Sequence, residues 1–180
     1  MVHKGVLGKC MLVVPVVILT AFIALVAILG LRDTGGHRRE RDPLQLNEQA
    51  PDLCLKDCEG RRYDLSNLRG HYVMLVFFCG CAPCRELNSA LVKVKARHPN
   101  AAIIGITAMG QADLSLYRSK QALNYPTLMD AYQKTSREWN SMKCPKCWII
   151  DPSGRIAYGN SSYEPVPAIL TALARYRFAG

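Results

Sequence analysis

A continuous apolar run that leads directly into two closely spaced cysteines is the feature that most constrains the fold. Residues 72–78 contain no charged side chain, as expected of a strand that is buried on both faces of a sheet. Cys81 and Cys84 follow this run, and the residues after them carry apolar side chains at helical spacing. Pro83 would occupy the first helical position, where proline is tolerated. The sequence therefore predicts a strand that ends in a Cys-x-x-Cys pair at the start of a helix.

This arrangement favours thiol chemistry, because the first turn of a helix presents unpaired backbone N–H groups and a partial positive charge. Both stabilise a thiolate, which is the nucleophilic form of cysteine. We expect Cys81 to lie at the helix start, with Cys84 on the same helix face and close enough to close a small disulfide ring. A purely structural disulfide is the less favoured alternative, since so small a ring restricts the unfolded chain little.

The N-terminal part of the chain contains a long uncharged apolar stretch at residues 11–31. As an α-helix this stretch is about 31 Å long, which matches the hydrocarbon core of a bilayer. We predict four parts: a tail at 1–10, a single-pass transmembrane helix at 11–31, a polar linker at 32–48 and a folded domain at 49–180. A cleaved secretory signal is the alternative, but it would have a shorter apolar region and a small-residue cleavage site.

Charge bears on both the membrane orientation and the partners. Two lysines precede the apolar stretch and four arginines follow it within residues 32–41, which mildly favours a cytoplasmic domain by the positive-inside rule. The formal net charge of the chain is +9. In the domain the charges are scattered, without a basic stripe interleaved with aromatic residues, so nucleic acid is not an expected partner.

Beyond the cysteine pair, apolar runs and amphipathic segments alternate along the chain. They predict a buried strand at 101–107, a helix at 111–123, an antiparallel hairpin around the turn 151–154 and a closing helix at 166–177. Strands that are separated by helices and followed by a hairpin indicate an α/β domain with a mixed central sheet flanked by helices.

The order of several motifs resembles that of the membrane-anchored thioredoxin-like oxidoreductases of the TlpA/ResA kind, in the redoxin superfamily. In chain order these motifs are Ala-Pro-Asp-Leu at 50–53, the segment 64–70, Cys-Ala-Pro-Cys-Arg at 81–85 and the segment 144–154. The resemblance extends over roughly residues 49–178. It implies a thioredoxin-like fold with Pro145 in the cis form and with its loop facing the Cys-x-x-Cys pair.

The resemblance also implies an enzyme, a thiol–disulfide oxidoreductase that reduces protein disulfides. Cys81 would attack the substrate, the more buried Cys84 would resolve the mixed disulfide, and Pro145 and Cys144 would contact the substrate. The redox-active disulfide would serve in place of any cofactor, and a membrane electron donor would reduce it again. The domain would then be extracytoplasmic, periplasmic or at the cell surface, against the orientation that the flanking charges favour.

Three positions depart from the family pattern. Gly80 replaces the aromatic residue that usually precedes the first active cysteine, and Leu87 stands where the family often has an acid. Lys146 follows Pro145, where the cytochrome-maturation branch prefers an acid. We predict Lys146 as an auxiliary residue, which either stabilises the Cys81 thiolate or points into solvent.

The sequence contains more cysteines than this chemistry needs: Cys10, Cys54, Cys58, Cys79, Cys81, Cys84, Cys144 and Cys147. A disulfide-stapled mini-protein is not indicated, because the chain is long enough to bury a core of its own. Cys79 and Cys147 are auxiliary candidates, and Cys144 would approach Cys81 across the site. These extra cysteines could relay a disulfide or pack as small hydrophobes.

A metal-binding function is the remaining alternative. Cys81, Cys84, Cys144 and Cys147 form two Cys-x-x-Cys pairs, which zinc and iron–sulfur centres use, and the chain would then be a zinc, copper or iron–sulfur carrier or sensor. Our preferred prediction assigns no metal ligand.

A peroxiredoxin is disfavoured by the residues ahead of the cysteine pair. Peroxiredoxins carry Pro and Thr at fixed distances before the active cysteine, and Met74, Phe77, Phe78 and Cys81 occupy those offsets in this sequence. The sequence therefore favours disulfide exchange over peroxide reduction.

Overall fold

The computed structural model describes residues 44–160 and 164–176. Within these two ranges no helix combines the length and the apolar character that a membrane span requires. The predicted tail at 1–10, the predicted anchor at 11–31 and the linker as far as residue 43 lie outside the described residues and stay predictions.

The end of the predicted linker packs on the folded domain. Leu44 is buried in one of the two cores, and the backbone N–H of Asn47 donates to the carbonyl of Ile156 at 2.7 Å. In return the N–H of Ile156 donates to the carbonyl of Glu48 at 2.9 Å. An apolar side chain and two backbone hydrogen bonds therefore attach residues 44–48, the end of the predicted linker, to the domain.

In the described part of the chain, seven strands form one mixed sheet in the spatial order β2-β1-β5-β4-β3-β6-β7. The strands are β1 (Cys54–Asp57), β2 (Arg62–Asp64), β3 (Val73–Phe77), β4 (Ala102–Thr107), β5 (Thr127–Met129), β6 (Lys146–Ile150) and β7 (Ile156–Gly159). Strand β3 pairs in parallel with β4 and antiparallel with β6. The predicted mixed sheet, with the apolar run 72–78 as an interior strand, is confirmed.

Four α-helices and one 3-10 turn (Leu65–Leu68) complete the described domain. The helices are α1 (Ala82–Arg97), α2 (Gln111–Lys120), α3 (Lys134–Glu138) and α4 (Val166–Leu173). Helix α2 ends three residues before the predicted limit of 123, because Ala122 has a left-handed backbone (φ 49°) that the interior of a right-handed helix does not accept.

Successive residues of β3 point to opposite faces of the sheet and build two separate cores. Met74 and Val76 pack on the side of α1 and α4, whereas Val73, Leu75 and Phe77 pack on the other side. All five residues of β3 are buried, so the strand is covered on both faces as predicted. This rigid strand presents the residues that follow it, the cysteine loop, at the edge of the two cores.

Candidate active site

The first cysteine of the Cys-x-x-Cys pair lies at the start of helix α1. Cys81 is the N-cap residue, with extended backbone angles (φ −63°, ψ 169°) and no capping hydrogen bond from its side chain. The N–H of Arg85 donates to the carbonyl of Cys81 at 2.9 Å and closes the first helical turn. Pro83 occupies the second position of the helix, one later than predicted but still within the first turn. The thiol of Cys81 therefore lies at the positive end of the helix dipole.

The second cysteine is close to the first but much less accessible. The sulfurs of Cys81 and Cys84 are 3.2 Å apart, and both cysteines are free thiols. Cys84 is fully buried, whereas Cys81 is half-buried. A hydrogen bond with Cys144, together with burial, raises the pKa of the Cys84 thiol far above its ordinary value. At neutral pH the Cys84 proton stays on its sulfur, and Cys81 is the sulfur of this pair that a substrate can reach.

The loop before β6 brings a third and a fourth sulfur to the same place. The peptide bond between Cys144 and Pro145 is cis, as the resemblance implied. The sulfur of Cys144 lies 2.6 Å from that of Cys79. Burial raises the pKa of the Cys79 thiol, although the hydrogen bond with Cys144 opposes this change. The ligating atoms of Cys79, Cys81, Cys84 and Cys144 all lie within 4.8 Å of one another.

Cys147 does not join this cluster. It is fully buried in β6, opposite Val76 of β3, and burial raises the pKa of its thiol. It packs in the core on the α1 side as a small hydrophobic residue. Cys54 and Cys58 lie at the two ends of the first hairpin strand, where the sulfur of Cys58 contacts Arg118. In the structure Cys79 takes the place that the tetrathiolate alternative had given to Cys147.

The side chain of Lys146 makes its contacts outside the cysteine cluster. Its Nζ donates to the carbonyl of Asn160 and lies 4.4 Å from the centre of the Trp148 ring. Burial lowers the pKa of its amine. Lys146 and Trp148 are two residues apart in β6 and share a face, and Trp148 belongs to the core on the side of the sheet away from α1. Neither predicted alternative, stabilisation of Cys81 or a free solvent position, describes this contact.

Gly80 explains why no aromatic residue precedes Cys81. It has a positive φ of 85°, and a Cβ built on it would lie 2.8 Å from Cε of Met109 and 3.3 Å from Cε2 of Tyr117. Its carbonyl accepts a hydrogen bond from Nη1 of Arg85 at 2.7 Å. The turn between Cys79 and Cys81 is therefore bound to α1 through Arg85 and covered by the side chains of Met109 and Tyr117.

A cavity of about 260 Å³ opens beside the cysteine cluster. Cys79, Cys144 and Phe78 line it together with two methionines, Met109 and Met142. Met142 is half exposed at the rim. Methionine side chains adapt to irregular partners, so this cavity suits segments of varied sequence. The sequence does not indicate this cavity, because its lining comes from four separate segments of the chain.

A buried polar network stands behind Cys84, one helical turn along α1. Asn88 is fully buried, its Nδ2 donates to the hydroxyl of Tyr117 at 3.1 Å, and its Oδ1 accepts from the hydroxyl of Tyr125 at 2.9 Å. Leu87, at the position where the family often has an acid, is also fully buried. The buried polar residue below the cysteine pair is thus Asn88, an amide and not an acid. Its position four residues after Cys84, on the same helix face, is the sequence signal that could have identified it.

Comparisons with known proteins agree with this architecture. Residues 46–159 match the AhpC/TSA family. The thioredoxin-like protein YneN of Bacillus subtilis is 26% identical over 140 residues, which cover 74% of this chain and 82% of that protein. The thiol-disulfide oxidoreductase ResA of Bacillus thuringiensis is 25% identical over 128 residues, which cover 67% of this chain and 72% of ResA.

A solved structure shares the fold. The thioredoxin domain of a thiol-disulfide oxidoreductase from Bacteroides vulgatus superposes with a TM-score of 0.61 at 18% identity, covering 72% of this chain and 98% of that domain. At this identity the likeness concerns the fold alone. The described domain has the thioredoxin-like fold that the resemblance implied, and the chain belongs to the AhpC/TSA family.

Proposed function

We propose that this chain is a thiol–disulfide oxidoreductase that reduces protein disulfides through the Cys81–Cys84 couple. One observation carries the proposal: a half-buried thiol at a helix start lies 3.2 Å from a buried partner thiol. Disulfide exchange needs this combination, because one sulfur must meet the substrate and the other must wait until the first has reacted.

The reaction follows from the different environments of the two sulfurs. The Cys81 thiolate attacks one sulfur of the substrate disulfide, a Cys81–substrate bond forms, and the other substrate sulfur leaves as a thiolate. Cys84 then gives its proton to that thiolate and attacks the Cys81 sulfur, so that the Cys81–substrate bond breaks and the second substrate sulfur leaves as a thiolate that takes a proton from solvent. The products are the Cys81–Cys84 disulfide and two substrate thiols, so two electrons pass to the substrate.

The raised pKa of Cys84 protects the intermediate. While its thiol is protonated, Cys84 does not attack the mixed disulfide, so the bond between Cys81 and the substrate remains while the substrate segment binds. The loop of Cys144 and Pro145 and the cavity rimmed by Met142 provide the surface on which an extended substrate segment would lie.

The same proposal places the domain outside the cytoplasm. The uncharged stretch 11–31 would anchor it as a single-pass helix, and a membrane electron donor would return two electrons to the Cys81–Cys84 disulfide. The sequence resemblance to ResA supports this orientation, and the flanking arginines oppose it. Alkaline phosphatase and green fluorescent protein fused in turn to the C-terminus distinguish the two sides: an active phosphatase fusion supports the proposal, and a fluorescent fusion refutes it.

The activity is tested by insulin reduction with dithiothreitol, using the full chain in detergent. Cys81→Ser should abolish turnover, and Cys84→Ser should accumulate a mixed disulfide with a substrate, visible as a mass increase that reductant removes. Cys54→Ser is the matched control, since Cys54 is an exposed thiol on β1 outside the cluster. Full turnover in Cys81→Ser would refute the assignment.

A further inference from the structure

The cysteine cluster contains more sulfur than disulfide exchange uses, and its geometry is that of a metal site. We propose that Cys79, Cys81, Cys84 and Cys144 bind one thiophilic metal ion, Zn²⁺, as a tetrathiolate. The four ligating atoms lie within 4.8 Å of one another. This site goes beyond the proposed oxidoreductase activity and shares Cys81 and Cys84 with it.

The distances fit a single ion. Zn–S bonds of about 2.3 Å place the four corners of a tetrahedron about 3.8 Å apart. Two of the pairs, Cys79 with Cys144 at 2.6 Å and Cys81 with Cys84 at 3.2 Å, reach that spacing if each sulfur moves by about 0.6 Å or less. An iron–sulfur cluster distributes its thiolates over two or more irons, which requires more widely spaced sulfurs than this set.

The main chain holds the four ligands from three directions. Cys79 follows the rigid strand β3, Cys81 and Cys84 begin α1, and Cys144 lies in the loop before β6. The β3–β6 pairing aligns Phe77 with Lys146, and the same register continued by two residues on each side places Cys79 opposite Cys144. Sheet pairing, the most rigid feature of the domain, thus brings together two ligands that are 65 residues apart.

Gly80 allows two of these ligands to converge. With its positive φ of 85° it reverses the chain between Cys79 and Cys81, so both sulfurs point to one place. The hydrogen bond from Arg85 to the Gly80 carbonyl braces this turn and brings a cation beside a site where four thiolates would leave a net negative charge. Metal binding therefore accounts for two features that exchange chemistry does not need, Cys79 and the tight turn at Gly80.

An ion can reach the cluster from solvent. Cys79 is exposed, Cys81 and Cys144 are half-buried, and only Cys84 is fully buried. A site with this exposure loads and releases its ion more readily than a closed structural centre. Because Cys81 is both ligand and nucleophile, a bound ion would block disulfide exchange until it is removed.

Zinc content is the direct test. The full chain, purified in detergent without oxygen and with a phosphine reductant, is loaded with Zn²⁺, passed through a desalting column and assayed for metal by mass spectrometry. We expect one Zn²⁺ per chain. Replacing Zn²⁺ by Co²⁺ should give the visible absorption of tetrahedral cobalt thiolate, which reports the ligand set independently of activity.

Variants separate the cluster from incidental thiols. Cys79→Ser and Cys144→Ser should each weaken Zn²⁺ binding by at least about 100-fold in competition with a chelator, since even loss of an outer-shell partner can cost that much. Cys54→Ser should stay within twofold of the parent chain. Far-ultraviolet circular dichroism of each variant checks that it is folded.

The metal site would be refuted by a zinc content near zero in the reduced, folded chain, or by one ion per chain that Cys79→Ser leaves unchanged. Detection of a stable Cys79–Cys144 disulfide under the same reducing conditions would also refute it. None of these outcomes affects the oxidoreductase proposal, because insulin reduction by Cys81→Ser decides that separately.

Discussion

Substitution of Gly80 by alanine tests whether the turn between Cys79 and Cys81 is packed as the structure shows. Two costs are expected. A left-handed backbone costs a residue with a side chain roughly 1–2 kcal/mol, partly offset by about 0.4–1 kcal/mol because alanine reduces the entropy of the unfolded chain. The new Cβ would also lie 2.8 Å from Met109 and 3.3 Å from Tyr117, closer than an unstrained contact permits.

The two contacts differ in how far they can relax. The Met109 atom is the methyl group at the end of a flexible side chain and can move at little cost. The ring of Tyr117 cannot, since it stacks on Phe78 with centroids 5.4 Å apart and its hydroxyl accepts from Asn88. We therefore expect a packing cost of about 1 kcal/mol, at the low end for overfilled cores, and a total loss of about 2 kcal/mol.

Gly60→Ala is the matched control. Gly60 has nearly the same φ, 84°, but a Cβ there would meet nothing within 4 Å, so only the backbone cost of about 1 kcal/mol remains. Urea unfolding can be followed by the fluorescence of Trp139 and Trp148, which are both buried in the described domain. With a slope of about 2 kcal/mol per molar, Gly80→Ala should unfold about 0.5 M urea earlier than Gly60→Ala. Equal midpoints for the two variants would refute the packing argument.

Two further predictions concern buried polar groups. Asn88→Ala should destabilise the domain by about 2–3 kcal/mol, because it removes two hydrogen bonds and leaves the buried Tyr125 hydroxyl without its acceptor. The control Asn124→Ala removes one exposed hydrogen bond and should cost under about 1 kcal/mol in the same urea assay. Equal losses of stability in the two variants would contradict the buried network. Burial by itself would raise the pKa of Asp57, but hydrogen bonds from Arg61 outweigh it and lower that pKa. Its stabilising contribution is therefore present above the unfolded pKa of about 3.9 and disappears as the pH falls through the lower folded value. The urea midpoint of the parent chain should therefore decrease as the pH is lowered below about 4, and that of Asp57→Asn should decrease less. Parallel pH profiles for the two proteins would contradict the assignment.

Much of the fold could be predicted because its signals are local. The run 72–78 contains only residues that a doubly covered strand accepts, and β3 occupies Val73–Phe77 within it. The turn at 151–154 likewise joins β6 to β7 as an antiparallel pair. Helix ends were less predictable, since the conformation of Ala122 depends on how the chain must return to β5 and leaves no mark in the apolar pattern.

The environment of Lys146 could not be predicted, because a sequence does not state which face of the sheet a residue at the end of a loop will take. Proximity to Pro145 suggested the thiol site. The structure instead starts β6 at Lys146, so the strand alternation assigns its side chain to the face of Trp148. A strand that began one residue earlier or later along the chain would place the Lys146 side chain on the other face of the sheet.

The sulfur that Cys144 contacts is determined by the pairing register of β3 with β6. This register depends on residues far apart in the sequence, so a local pattern does not predict it. Resemblance placed Cys144 against Cys81, whereas antiparallel pairing of β3 with β6 places it against Cys79. A shift of the pairing by one residue would turn every side chain of β6 to the other face, so Cys147 and Ile149 would leave the core on the α1 side and Trp148 and Ile150 would leave the other core. The apolar core therefore fixes the register, and the register in turn fixes the approach of the two sulfurs. Cys79 and Cys144 are consequently held together by the burial of β6 itself, which is why their proximity should persist whether the sulfurs are reduced, bound to a substrate or bound to a metal ion.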